Sequence, residues 1–153
     1  VWDNLGHTSN SNKISFSKDG GDTTTIDTWL MAAARTSTEA PTITVSGASV
    51  QGDKATLKKV TGGWDGDHGG VIVPIKPIVQ KLALFVLAYD DGDKLSFGLY
   101  LPETDFTFDT IDLTGDEFAE FSFNAVVKST DALKKGPNGE TGGYALFSPE
   151  HFK

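Results

Sequence analysis

Lys81-Leu82-Ala83-Leu84-Phe85-Val86-Leu87-Ala88-Tyr89 runs into Asp90-Asp91-Gly92-Asp93 and then into Lys94-Leu95-Ser96-Phe97-Gly98-Leu99-Tyr100-Leu101. Two apolar segments meeting at an acidic linker with Asp-Gly inside it form a strong hairpin signal, because Gly supplies the positive φ that a tight turn demands. The first arm is apolar throughout Leu82–Ala88 and reads as a central strand, covered on both faces. The second alternates Leu95, Phe97, Leu99 and Leu101 against Ser96, Gly98 and Tyr100, which leaves one face for water or a partner.

A second hairpin follows, Asp105–Leu113 against Phe118–Lys128 across Thr114-Gly115-Asp116-Glu117. Phe106 and Phe108 point one way and Asp105, Thr107 and Asp109 the other; Phe121, Phe123, Ala125 and Val127 likewise oppose Glu120, Ser122 and Asn124. One face is greasy, the other polar and acidic. Upstream, Asn12–Lys18 and Thr42–Val50 alternate as half-buried strands, and Val71–Ile75 is a short apolar run stopped by Lys76-Pro77. Two short helices are expected. Asp27 or Thr28 can cap Trp29–Arg35, where Ala32-Ala33-Ala34 favours helix, and Asp53 can cap Lys54–Val60 with Gly62 just past its end. Both fall short of the ~12–15 residues that make an isolated helix marginal, so they accompany a β fold. Seventeen Thr and ten Phe, cut by Gly and Asp clusters, complete the signature of an all-β, mainly antiparallel sandwich or barrel with one or two flanking helices.

The 153 residues suit one domain, 1–153, and no composition break or repeat divides them. Thirteen basic against twenty-one acidic residues give a net charge of −8, and Arg35 is the sole Arg, which excludes a basic nucleic-acid-binding stripe. An acidic chain can still meet DNA by lining a conduit that repels it. The longest apolar run, Leu82–Tyr89, is far short of the ~18 residues that span a bilayer as a helix, so no membrane partner is expected. The absence of Cys removes disulfides, thiolate metal sites and a cysteine nucleophile.

Chemistry-bearing motifs are lacking. There is no phosphate-binding loop, nucleophile elbow or zinc-protease helix motif. His7, His68 and His151 are widely separated, which argues against a metal site. Fifteen Asp and six Glu are too many for any pair to single itself out as a glycosidase acid and base. Asp90, Asp91 and Asp93 lack the later ligands of a calcium loop and read as turn formers. Catalytic, cofactor and metal residues are therefore all expected to be none. The Gly-rich segments Thr61–Gly70 and Lys134–Gly143 read instead as mobile docking loops, with Trp64, Asp65, Asp67, His68, Asn138 and Glu140 as candidate inter-subunit contacts.

Trp2-Asp3-Asn4-Leu5-Gly6-His7-Thr8-Ser9, then Asp19-Gly20-Gly21 and Thr28-Trp29, resembles the opening region of major tail proteins of long, non-contractile-tailed phages, particularly those infecting actinobacteria. The similarity continues through Asp53–Gly63 and the Leu113–Glu120 turn. The resemblance implies a non-enzymatic tail-tube subunit without cofactor, a β-sandwich or barrel forming stacked, six-fold rings for genome passage. It implies self-association, contacts with terminator, tape measure and distal tail proteins, DNA only in passage, and residence in the virion tail after assembly in host cytoplasm. In proteins it resembles, the opening block follows an N-terminal arm, so the chain is expected to lack that arm. In such a ring the face of Asp105, Thr107, Asp109, Glu120, Ser122 and Asn124 would line the channel, where negative charge lets phosphates slide without sticking. The alternative is a β-sandwich that binds carbohydrate or protein through exposed aromatics such as Trp64 or Tyr100; a small carboxylate hydrolase is a more distant rival.

Overall fold

The computed structural model describes residues 2–6, 8, 14–29, 31–89, 95–113 and 119–152. His7 and the linkers at 90–94 and 114–118, in which the sequence places both hairpin turns and the Asp90, Asp91 and Asp93 trio, lie outside the described residues. Among the described residues, in chain order, the strands are β1 (Ser15–Asp19), β2 (Thr23–Thr28), β3 (Met31–Thr38), β4 (Thr42–Ser49), β5 (Trp64–Asp65), β6 (Val71–Ile72), β7 (Gln80–Tyr89), β8 (Leu95–Asp112), β9 (Glu120–Val127) and β10 (Ala145–Phe147), with one α-helix, α1 (Lys54–Thr61), and two short 3-10 turns. The fold is mostly β and antiparallel, as the alternation predicts.

Six strands share one sheet in the order β1-β4-β9-β8-β10, with β7 also paired to β8. Strand β8 organises it. Its 18 residues hold β7 along one side, while the other side takes β10 at Gly98–Tyr100 and β9 from Thr104 to Asp112. The two hairpins read from the sequence thus share this single strand. Between its pairs Leu84↔Leu101 and Leu82↔Thr104, β8 uses one residue more than β7, and Pro102 falls within that bulge. A bulge tolerates Pro because the ladder is already interrupted there.

The buried face carries Val45, Leu84, Leu99, Leu101, Phe106, Phe123 and Ala125. The register explains the packing: Val45, Ala125 and Phe106 lie abreast on β4, β9 and β8, so a small residue sits between two larger ones. One step along, Gly47, Phe123 and Phe108 are abreast, and the Phe106 and Phe123 rings stack with centroids 4.9 Å apart. A Cβ on Gly47 would lie 2.9 Å from the Phe123 ring and 2.5 Å from Ile14 Cδ1, which is why this strand position is glycine. Buried hydroxyls are satisfied within the fold: Thr104 Oγ1 donates to Leu82 O at 2.8 Å and Ser49 Oγ to Leu5 O at 2.7 Å.

Helix α1 forms where its caps predict. Asp53 accepts a hydrogen bond from Thr56 N at 3.1 Å, Gly62 closes the helix at φ 66°, and Lys58 and Lys59 complement the dipole at its end. Gln80 Nε2 donates to Lys59 O, fastening the helix end to β7.

Three expectations are corrected. Trp29–Arg35 is not a helix, because Met31–Thr38 forms β3, paired with the Thr-rich β2. Strand β7 is not central: among the described residues it pairs with β8 alone, and Phe85, Leu87 and Tyr89 on its second face are exposed. Strand β1 is exposed throughout rather than half buried; among the described residues it pairs with β4 alone.

Candidate functional site

Pairing fixes the polar face of β8 and β9. Asp105 lies opposite Val126 and Thr107 opposite Asn124, on the side away from Phe106, Phe108, Phe123 and Ala125. Lys128 Nζ approaches Asp105 Oδ2 at 2.9 Å, and Thr107 Oγ1 donates to Asn124 O at 3.3 Å. Thr107, Ser122 and Asn124 are half-buried, and Asp109, beside the register shift between Phe108 and Ile111, is exposed. Glu120 departs from the expectation. It is only 5% exposed, opposite Asp112 at the far side of that register shift, so its carboxylate does not belong to a wetted wall.

The glycine-rich segments hold more internal structure than the sequence suggests. Trp64 and Asp65 form β5, paired with Ile72 and Val71 of β6, and Asp67–Gly69 makes a 3-10 turn between them in which His68 takes φ 60°. Lys58 Nζ and Lys54 Nζ reach the Asp65 carboxylate at 2.6 and 2.9 Å, tying this small hairpin to α1. Those bonds, Lys58 first, hold the Asp65 carboxyl below its usual 3.8, at about 2. The tie is therefore complete above the ordinary carboxylate range and is lost as pH falls through about 2. An NMR titration of the Asp65 side-chain carbon should show that depressed midpoint, moving up toward 3.8 when Lys58 and Lys54 are both replaced by Met; an unchanged ordinary midpoint in the parent chain would contradict the tie.

In the second segment Asn138 N and Nδ2 donate to Glu140 at 3.0 and 2.9 Å, and Gly136 N to Glu140 O at 3.0 Å. The Asn138 bonds lower the Glu140 pKa, so this carboxylate shapes a turn. Trp64, Asp67, His68, Asn138 and Glu140 are all exposed, at two separate turns rather than in one cluster.

Larger apolar surfaces lie elsewhere. Ile72, Val73, Ile75, Ile78 and Val79 are exposed along the segment leading into β7, whose Phe85, Leu87 and Tyr89 continue the exposure. On the same outer face, Trp2, Phe85, Tyr100, Phe147 and His151 surround an open cavity of about 180 Å³. Trp2, Phe85, Tyr100 and Phe147 adjoin one another through ring contacts, a partly exposed aromatic patch of the kind that serves interaction surfaces. The sequence signal for it was the first arm's lack of a polar face, which reads equally as burial in a sheet. Among the described residues no group of three or more His, Asp or Glu is placed to hold a metal ion, and no helix is long and apolar enough to cross a membrane.

A family model described as phage tail tube protein matches residues 1–135. The chain belongs to that family. Tail tube proteins are structural components of the virion tail that assemble with themselves and other tail proteins. No curated protein matches the chain.

Proposed function

We propose that this tail tube protein closes into rings, six-fold as in the proteins it resembles, which stack into a conduit for DNA. The observation that carries the reading is a sheet whose margins, among the described residues, are β1 at one side and β7 at the other, each paired with one strand. A sheet edge is a template for another chain, and natural monomers blunt it. Here β7 is ten residues of mostly apolar sequence, with Lys81 its single charge. Because the two margins differ, pairing one copy's β7 with the next copy's β1 is heterologous, and such contacts close into rings when the rotation permits.

The face of Asp105, Thr107, Asp109, Ser122 and Asn124 is the proposed lumen wall. It lies opposite the buried Phe layer, and repetition around an axis would concentrate the negative charge that keeps DNA from sticking. Burial removes Glu120 from this wall. Contacts with terminator, tape measure and distal tail proteins, and assembly in host cytoplasm, belong to the same proposal. The chain acts as no enzyme in it.

Replacing Asp109, the exposed acid of this wall, with Lys should leave rings intact, since exposed charges contribute ~1 kcal/mol or less to folding. Genome ejection from virions carrying the variant should slow, most strongly at low salt. Normal ejection at low salt would move the lumen to another face.

A further inference from the structure

Strands β2 and β3 form a second, separate sheet that continues the β1–β4 hairpin outward. The β1–β4 pair ends at Asp19↔Thr42, and β2–β3 pairing resumes at Thr23↔Thr38 and runs to Thr28↔Met31. Gly20 and Gly21, at φ 80° and 84°, make the joint on one side and Glu39–Pro41 crosses on the other, with Glu39 N donating to Asp22 O. At ~3.3 Å per residue the arm extends about 20 Å beyond the sheet. Its described side chains, Thr23–Ile26 and Arg35–Thr38, are all exposed, and Trp29 at the tip is 97% exposed. An isolated two-stranded hairpin is marginal in water, and a bare indole at its end adds to the cost.

The same chain carries a matching hollow. Trp2, Phe85 and Tyr100 stand around the open cavity with ring centroids 6.0–6.1 Å apart, and Phe147 and His151 complete its lining. About 180 Å³ is too small for the ~300–1,000 Å³ of an ordinary small-molecule site. It is large enough for one aromatic ring, since an apolar cavity of about 150 Å³ accommodates benzene. Tilted and edge-on contacts are the favoured geometry of aromatic pairs, and these rings offer both edges and faces to a further one. The arm is rooted at the β1–β4 margin and the hollow lies on β7, β8 and β10, toward the other margin.

We infer that Trp29 at the tip of the β2–β3 arm docks into the Trp2–Phe85–Tyr100–Phe147–His151 hollow of a second copy of this chain. The inference rests on the self-assembling reading above. It also follows from what each copy presents: one knob and one hole, at different margins, with the knob left outside its own hole. Such a contact propagates from copy to copy.

The test uses the full chain, Trp29→Ala, Phe85→Asp and an equimolar mixture of the two variants, followed by sedimentation velocity and by acrylamide quenching of Trp29 (parent minus Trp29→Phe). The inference expects each variant alone to need at least tenfold more protein to assemble. At concentrations where neither variant assembles alone, the mixture should form heterodimers, because one intact arm meets one intact hollow and the arm contact cannot be repeated. Trp29 should be quenched freely in the dilute subunit and be shielded severalfold on assembly. Trp29→Ala assembling like the parent overturns the inference; that variant lies on an exposed arm, so it stays informative if Phe85→Asp misfolds. Shielding in the dilute monomer, meaning docking into its own hollow, overturns it too. So does a parent assembly that leaves Trp29 accessible, as an arm reserved for another tail protein would. A parent chain that never assembles defeats the tube-subunit reading itself, and the inference with it.

Discussion

Replacing Phe106 with Ala should destabilise the fold by about 3–5 kcal/mol, the usual cost of truncating a buried Phe. Phe106 is fully buried, stacks on Phe123 and lies abreast of Ala125, too small a neighbour to refill the space. Domains of this size typically have about 5–15 kcal/mol in reserve, so the substitution removes a large share of it. Urea denaturation followed by circular dichroism measures the loss directly. A loss below about 1 kcal/mol would mean that the Phe layer of β8 and β9 is not the core.

The second large effect is on assembly and spares the fold. Leu87→Lys with Tyr89→Lys places two charges on the outer face of β7, where both parent side chains are exposed in the isolated subunit. Surface substitutions of this kind change stability little. Lysines on an edge strand are, however, the device by which natural sheets refuse partners. The melting temperature should stay within a few degrees of the parent's, while rings and tubes disappear in favour of single subunits. Tubes that persist at the parent's concentration would remove β7 from the interface.

Much of this architecture was legible in the sequence, and the misses share a cause. Alternation placed β4, β8 and β9 because period-two patterning reports which side of a strand is covered, and a continuous apolar run before an Asp-Gly turn signal placed β7. Asp53 and Gly62 marked α1 because caps are local chemistry. Ala32-Ala33-Ala34 misled because helix propensity separates residues by only tenths of a kcal/mol, whereas pairing with Thr23–Thr28 is decided by the chain around it. The apolar sequence of β7 was read as central for a related reason: sequence shows that both faces need cover, without showing whether the cover comes from the same chain. Asp65 was legible as a loop acid and not as the partner of Lys54 and Lys58, since a helix and a hairpin had first to be placed side by side. Glu120 alternates with core residues as a surface acid should, yet it is buried beside the register shift that follows Phe108, and alternation alone reveals neither.

The assembly reading joins these observations. Open margins, an apolar edge strand and an exposed arm are liabilities for a protein that works alone and necessities for one that works as a lattice. The most direct measurement is negative-stain electron microscopy of the purified chain over a concentration series, with class averages taken along and across any particles. The account predicts closed rings, stacked into tubes at higher concentration, with a central bore wide enough for a DNA duplex. A field of single subunits at every concentration, or aggregates without a bore, would contradict it.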